Sequence, residues 1–221
     1  LVAPVILVAT QPDLGTSILI AAGGVIVAWL AGVRAKFFTI SGIAMLALLP
    51  IAISFLKPYQ KSRILTFLNP ERDPLGAGYQ IIQSKIAIGS GGLFGKGFLN
   101  GSQSYLDYLP EKHTDFIFTL FSEEFGFFGS LFILLLYALI ISRIIRIGNL
   151  TRSNFGKLYC YSFATAFFIY VIVNMMMVLG LLPIVGSPLP IMSYGGSSMM
   201  AIMLGLGIVM SCKIYKDVPV N

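Results

Sequence analysis

Long apolar runs, broken by short polar segments, set the pattern of this chain. Residues 14–33, 37–56, 125–142, 158–182 and 197–212 contain no Asp, Glu, Lys or Arg. A stretch of roughly 18 or more uncharged apolar residues is long enough to cross a bilayer as a helix. Inside lipid, only a helix satisfies every backbone N–H and C=O within one segment. The pattern therefore predicts an all-α, polytopic membrane protein formed as one membrane domain over residues 1–221. It has about five full transmembrane helices, near 14–33, 37–56, 116–142, 158–182 and 196–212. Residues 1–10 are apolar but too short to span, and they read as the second half of a helix that begins before Leu1. No basic region precedes them and no small-residue cleavage site follows, so a signal peptide is a poor reading.

Residues 57–115 break the pattern and predict a long structured loop. The segment is rich in Gly and Pro yet moderately apolar, which argues against disorder. Within it, Ile81, Ile82, Lys85, Ile86 and Ile88 fall at helical spacing over residues 79–88. Ten residues cannot span, so a short amphipathic helix along the membrane surface is expected, with Ile81, Ile82 and Ile86 toward lipid or the protein interior. Gly89, Gly91, Gly92, Gly95 and Gly97 then predict a turn. These glycines follow no buried strand and make a weak phosphate cradle.

Composition and charge fix the orientation. Apolar residues make up 57% of the chain and charged residues 11%, against about 25% charged in soluble domains. The net charge of +6 is not a nucleic-acid footprint, because it is parcelled among the connections. Arg34 and Lys36 sit in one, Arg143, Arg146, Arg152 and Lys157 around a second, and Lys213 and Lys216 at the C-terminal end. Alternating spans put these three regions on one side, the cytoplasmic side by the positive-inside rule, and residues 57–115 on the periplasmic side. Cys160 and Cys212 show no ligand spacing and read as small buried hydrophobes.

Three motifs carry candidate chemistry. Pro110-Glu111-Lys112-His113-Thr114-Asp115-Phe116-Ile117-Phe118 stands where the long loop enters a span. Asp115 has two readings. With Thr114 it could cap the helix. As a carboxylate at the membrane boundary, ahead of three apolar residues, it could serve as a general base. Glu123, eight residues on, falls roughly on the face of Asp115 and could share its cavity; its other reading is a pair with Lys112 or another loop cation. Gln11-Pro12-Asp13-Leu14-Gly15-Thr16-Ser17 reads as a helix break and cap. Pro188-Leu189-Pro190 with Ser193-Tyr194-Gly195-Gly196-Ser197 reads as a tightly packed connection. No metal-ligand set is visible, and His113 is the sole histidine.

These motifs, together with Gly78-Tyr79-Gln80-Ile81-Ile82-Gln83-Ser84-Lys85-Ile86-Ala87-Ile88-Gly89-Ser90-Gly91-Gly92, resemble in wording and order the RodA/FtsW (SEDS) family, and RodA more than FtsW. The resemblance runs along the whole chain. It implies a ten-span fold of which this chain holds the C-terminal part, without the first four spans. It also implies an inner-membrane peptidoglycan glycosyltransferase that polymerises lipid II into glycan strands for cell elongation and rod shape. Asp115 matches the family's essential aspartate and is the expected catalytic residue. Lys112, Lys85 and Lys96 are expected to face the developing pyrophosphate charge, with His113 and Glu123 completing the substrate-binding set. The resemblance fixes no cofactor, and a divalent cation, Mg or Mn, is a candidate. The expected partners are lipid II, a class B penicillin-binding protein transpeptidase and the membrane, with no nucleic acid. The competing readings are a lipid II flippase and a non-catalytic membrane scaffold, and a fragment lacking the first spans is expected to be inactive by itself.

Overall fold

The computed structural model describes residues 2–11, 13–54, 58–73, 76–101 and 113–217. Among them the regular elements are all helical. In chain order they are α1 (Val2–Thr10), α2 (Leu14–Leu30), α3 (Ala35–Ser54), α4 (Pro58–Leu68), a 3₁₀ turn (Pro70–Arg72), α5 (Ala77–Ser90), α6 (Ile117–Leu150), α7 (Asn154–Val178) and α8 (Gly196–Ile214). Among the described residues, α6, α7 and α8 are long and apolar enough to cross a membrane. This is a multi-pass α-helical membrane protein.

Local chemistry explains several boundaries. The Asp13 carboxylate accepts the backbone N–H of Thr16 at 3.0 Å and so caps α2, as its position after Pro12 suggested. Ser153 caps α7 by accepting the Gly156 N–H at 3.4 Å. The run predicted to end near residue 142 continues as helix to Leu150. Arg143 and Arg146 do not interrupt it, because long basic side chains can lean toward water from the end of a span.

The bundle is organised around α7. It packs along α6 on one side and α2 on another, with α8 against both α6 and α7 and α5 against the start of α6. One apolar core joins Phe116, Phe118 and Tyr137 of the α6 region to Phe167, Val171, Met175 and Val178 of α7 and to Leu189. A second, at the opposite end, joins Ile144, Cys160, Ala164 and Val209. Cys160 is wholly buried there, the role expected of it. Lipid tails are as apolar as these side chains, so close contact rather than water exclusion holds such helices together. Small residues provide it. Gly148 of α6 backs onto Cys160, and a Cβ on Gly205 of α8 would collide with the Phe163 ring of α7. Outward-facing Phe132, Leu139, Met200 and Leu204 are exposed, as suits a lipid-facing surface.

The predicted loop helix is present as α5, Ala77–Ser90, and of Ile81, Ile82 and Ile86 only Ile81 lies on its buried stripe. Gly78, Ile81, Ser84 and Ala87 are buried, whereas Ile86 is 49% exposed and Lys85 is also exposed. Three of the four inward positions are small and permit close approach: a Cβ on Gly78 would collide with the Pro70 and Asp73 carbonyls beside the 3₁₀ turn, and Ser84 reaches Thr119 of α6.

Candidate active site

Asp115 lies in a turn, immediately before α6 begins at Ile117. The N-cap position of α6 is Phe116, whose own side chain makes no capping hydrogen bond. Nor does a single helical register carry Asp115 onto the face of Glu123, because residues 113–116 are turn rather than helix.

The turn is held through its backbone. The amide of Asn174, near the C-terminal end of α7, donates to the Asp115 carbonyl at 2.8 Å and to the Ser187 carbonyl at 2.7 Å. Ser193 Oγ donates to the Thr114 carbonyl at 2.7 Å and accepts the Leu189 N–H at 2.6 Å. The Tyr194 N–H donates to the His113 carbonyl at 2.9 Å. The Tyr137 hydroxyl donates to the Pro190 carbonyl at 2.6 Å. The carbonyls of His113, Thr114 and Asp115 are thus each bonded to a group from α7 or from the α7–α8 connection. A buried carbonyl left unpaired costs about 1–3 kcal/mol, so these bonds define one arrangement of the turn. The Asp115 side chain is half-buried, and a Cβ on Gly186 would stand 3.6 Å from its Oδ2. The motif around Pro188, read from sequence as packing alone, is the platform on which Asp115 is set.

A second cluster lies beside the first turns of α6. Glu123 is 0% exposed, and Lys96 Nζ stands 2.6 Å from its Oε1. The glycine turn after α5 delivers Lys96. Gly126 interrupts α6 with φ 67° and ψ −161°, and Gly95, at φ 81°, sits against it. A Cβ on Gly95 would collide with the Glu124 carbonyl, and one on Gly126 with the Gly95 nitrogen. Only glycine combines a positive φ with so close an approach of two backbones. The kink frees carbonyls that the turn then uses. Lys96 N–H donates to Glu123 O and Gly97 N–H to Glu124 O, both at 3.0 Å, while Phe127 N–H donates to Gly92 O at 2.9 Å. The glycine-rich turn therefore grips the kinked helix, and its N–H groups at 95, 96 and 97 already have backbone acceptors.

Of the residues expected at the site, Asp115, His113, Lys85, Lys96 and Glu123 are described, and Lys112 lies outside the described residues. Lys85 is exposed and passes close to Gly180 in the α7–α8 connection, the same connection whose Gly186 neighbours Asp115. His113 is exposed and enters the network through its carbonyl. Glu123 pairs with a loop cation, as one of its two readings held, and that cation is Lys96. Sequence reasoning missed Asn174 and Ser84. Asn174 is 0% exposed, a lone amide inside the apolar run 158–182, and a buried polar group in a span is itself a signal. Ser84 is buried between α5, α6 and α7. Its hydroxyl donates to the Val178 carbonyl at 2.7 Å and lies 2.8 Å from Thr119 Oγ1, so the Thr119 proton closes the pair. Among the described residues no three His, Cys, Asp or Glu side chains gather in a way that could hold a metal ion.

The family model that groups FtsW, RodA and SpoVE, described as cell cycle protein, matches residues 1–217. The chain belongs to this family. It is 50% identical over 214 residues to the peptidoglycan glycosyltransferase MrdB of Escherichia coli K12, covering 96% of this chain and 58% of that protein. It is 46% identical over 161 residues to the peptidoglycan glycosyltransferase RodA of Treponema pallidum, covering 73% of this chain and 37% of that protein. Among solved structures, a chain of a peptidoglycan synthase complex that coordinates polymerization and crosslinking matches with a TM-score of 0.77 at 36% identity, over 96% of this chain and 59% of that one. An aspartate-to-alanine mutant of the rod shape determining protein RodA of Thermus thermophilus matches with a TM-score of 0.62 at 25% identity, over 97% of this chain and 54% of that one. The chain thus spans somewhat over half the length of MrdB.

Proposed function

We propose that the whole protein to which this chain belongs is a peptidoglycan glycosyltransferase of the inner membrane. It polymerises lipid II on the periplasmic face for cell elongation, alongside a class B penicillin-binding protein transpeptidase. Three independent bonds to the backbone of residues 113–115 carry this reading. They fix the carboxylate that heads α6 on the platform around Pro188, at the end of the bundle where the long loop also lies. A general base is useful only if it is held at a set position relative to its substrate. The similarity to proteins named peptidoglycan glycosyltransferases supplies the reaction class.

In the proposed step an acceptor sugar hydroxyl attacks the anomeric carbon of the donor. The new carbon–oxygen bond forms as the bond to undecaprenyl pyrophosphate breaks, the electron pair leaves with the pyrophosphate, and the hydroxyl proton passes to the Asp115 carboxylate. The leaving group is already good, so deprotonation of the acceptor is where the protein helps most. Developing negative charge needs cations. Lys85, exposed beside Gly180, is the better placed of the two described lysines, because Lys96 is engaged by Glu123. Lys112 and His113 complete the proposed set.

Asp115→Asn in the full-length protein tests the reading. The expected result is a loss of roughly a hundredfold or more in polymerisation of purified lipid II, with unfolding temperature and partner binding retained, because the turn is held by backbone carbonyls that Asn leaves in place. Near-normal polymerisation would remove Asp115 from the mechanism.

A further inference from the structure

At the end of the bundle away from Asp115, Arg143 and Arg146 of α6 and Lys213 and Lys216 of the α8 end line one cavity of 240 Å³, whose remaining walls are Ile147 and Leu150. We propose that this cavity binds the phosphodiester headgroup of an anionic glycerophospholipid. The positive-inside rule accounts for basic residues at this end. It does not account for their convergence, from two helices far apart in sequence, on one concavity. Among the described residues no acidic side chain lines the cavity, and none of the four cations takes part in an ion pair.

The walls are held in place. The Thr151 hydroxyl donates to the Ile147 carbonyl at 2.8 Å and approaches the Cys212 carbonyl at 3.5 Å. The Arg152 N–H donates to the Lys216 carbonyl at 2.9 Å, and its guanidinium lies 3.8 Å from Asp217. Beneath, Ile144 and Val209 pack α6 and α8 together. The basic groups are therefore carried on a fixed frame rather than on a loose tail.

Depth and surroundings select a lipid over a soluble anion. A span takes about 20 residues. Counted from the Gly126 kink, Arg143 and Arg146 come at headgroup level, as does Lys213 in the last turn of α8. On the α6 face that carries Arg143, Arg146 and Leu150, helical spacing brings up Leu139, Leu136 and Phe132 in succession, all exposed. An acyl chain can lie along that face while its phosphate sits among the four cations. Basic pockets between helix ends are suited to acidic headgroups for this reason.

Native mass spectrometry of the detergent-solubilised full-length protein, titrated with phosphatidylglycerol or phosphatidylcholine, tests the proposal. Phosphatidylglycerol should bind and phosphatidylcholine should not. Arg146→Gln with Lys213→Gln should weaken phosphatidylglycerol binding roughly thirtyfold. The charge-matched control Arg34→Gln with Lys36→Gln, in the α2–α3 connection, should change it less than about threefold. Arg143→Lys with Arg146→Lys should keep most of the binding, which separates lost charge from lost fold. Equal loss in the cavity variant and the control would show diffuse attraction and overturn the site. Displacement of the lipid by excess inorganic phosphate would show a bare anion site and overturn the lipid assignment.

Discussion

The two ends of α6 solve opposite problems. Its first turns are gripped on every side. Glu123 is paired with Lys96, Thr119 with Ser84, and the Gly126 kink is filled by the glycine turn, while Asn174, Ser193 and Tyr194 hold the carbonyls of the turn that precedes the helix. Its last turns carry Arg143 and Arg146 exposed, with neither of them in an ion pair among the described residues. In the first region these contacts pair polar groups within the protein, and unmaking any of them leaves a buried group unsatisfied. In the second, the charges remain open to the headgroup layer. One end is thus built for a single geometry and the other for availability.

If that contrast is right, substitutions at the gripped end should be costly and those at the basic end nearly free. The largest effect is expected for Lys96→Met, which leaves the fully buried Glu123 without its 2.6 Å cation. Unfolding in detergent should show a loss of about 3 kcal/mol. Adding Glu123→Gln to it should restore part of that loss, and identical single and double variants would mean that the pair contributes little. Asn174→Leu comes next. It orphans the Asp115 and Ser187 carbonyls together and should cost about 2 kcal/mol. It should also slow polymerisation, and full activity would show that the Asp115 turn keeps its position without the clamp. Ser84→Ala removes the donor to the Val178 carbonyl and should cost about 1 kcal/mol, read as faster hydrogen exchange in α5. The smallest effect is expected for Arg146→Gln, whose unfolding midpoint in detergent should correspond to a change within about 0.5 kcal/mol. A larger change would place Arg146 in the structural frame rather than on an open surface.

The gripped end was only partly legible in the sequence. Asp115 stood out because a carboxylate where a loop enters an apolar run is unusual by chemistry alone, and the resemblance to the RodA/FtsW family gave it a role. Lys96 was a candidate, but its partner was not fixed, since 27 residues separate it from Glu123. The helix over 79–88 was visible in the spacing of its isoleucines, yet spacing could not say which stripe faced inward, because the inner stripe is made of small residues that contribute little to an apolar pattern. At the basic end, the side on which the charges gather followed from alternation of spans, whereas their meeting in one cavity did not.

The sequence by itself determined the class of structure, because runs of apolar residues admit one backbone solution in lipid, and helical periodicity and capping are local. It also determined the helix break ahead of α2, which Pro12 and Asp13 set within a few residues. Only the tertiary structure decided how Asp115 is held, which cation meets Glu123, and that Arg143, Arg146, Lys213 and Lys216 share a cavity. Each of these joins residues from separate helices or connections. The distance between such groups is fixed by helix packing, where small residues such as Gly148 and Gly205 and the kink at Gly126 set the approach.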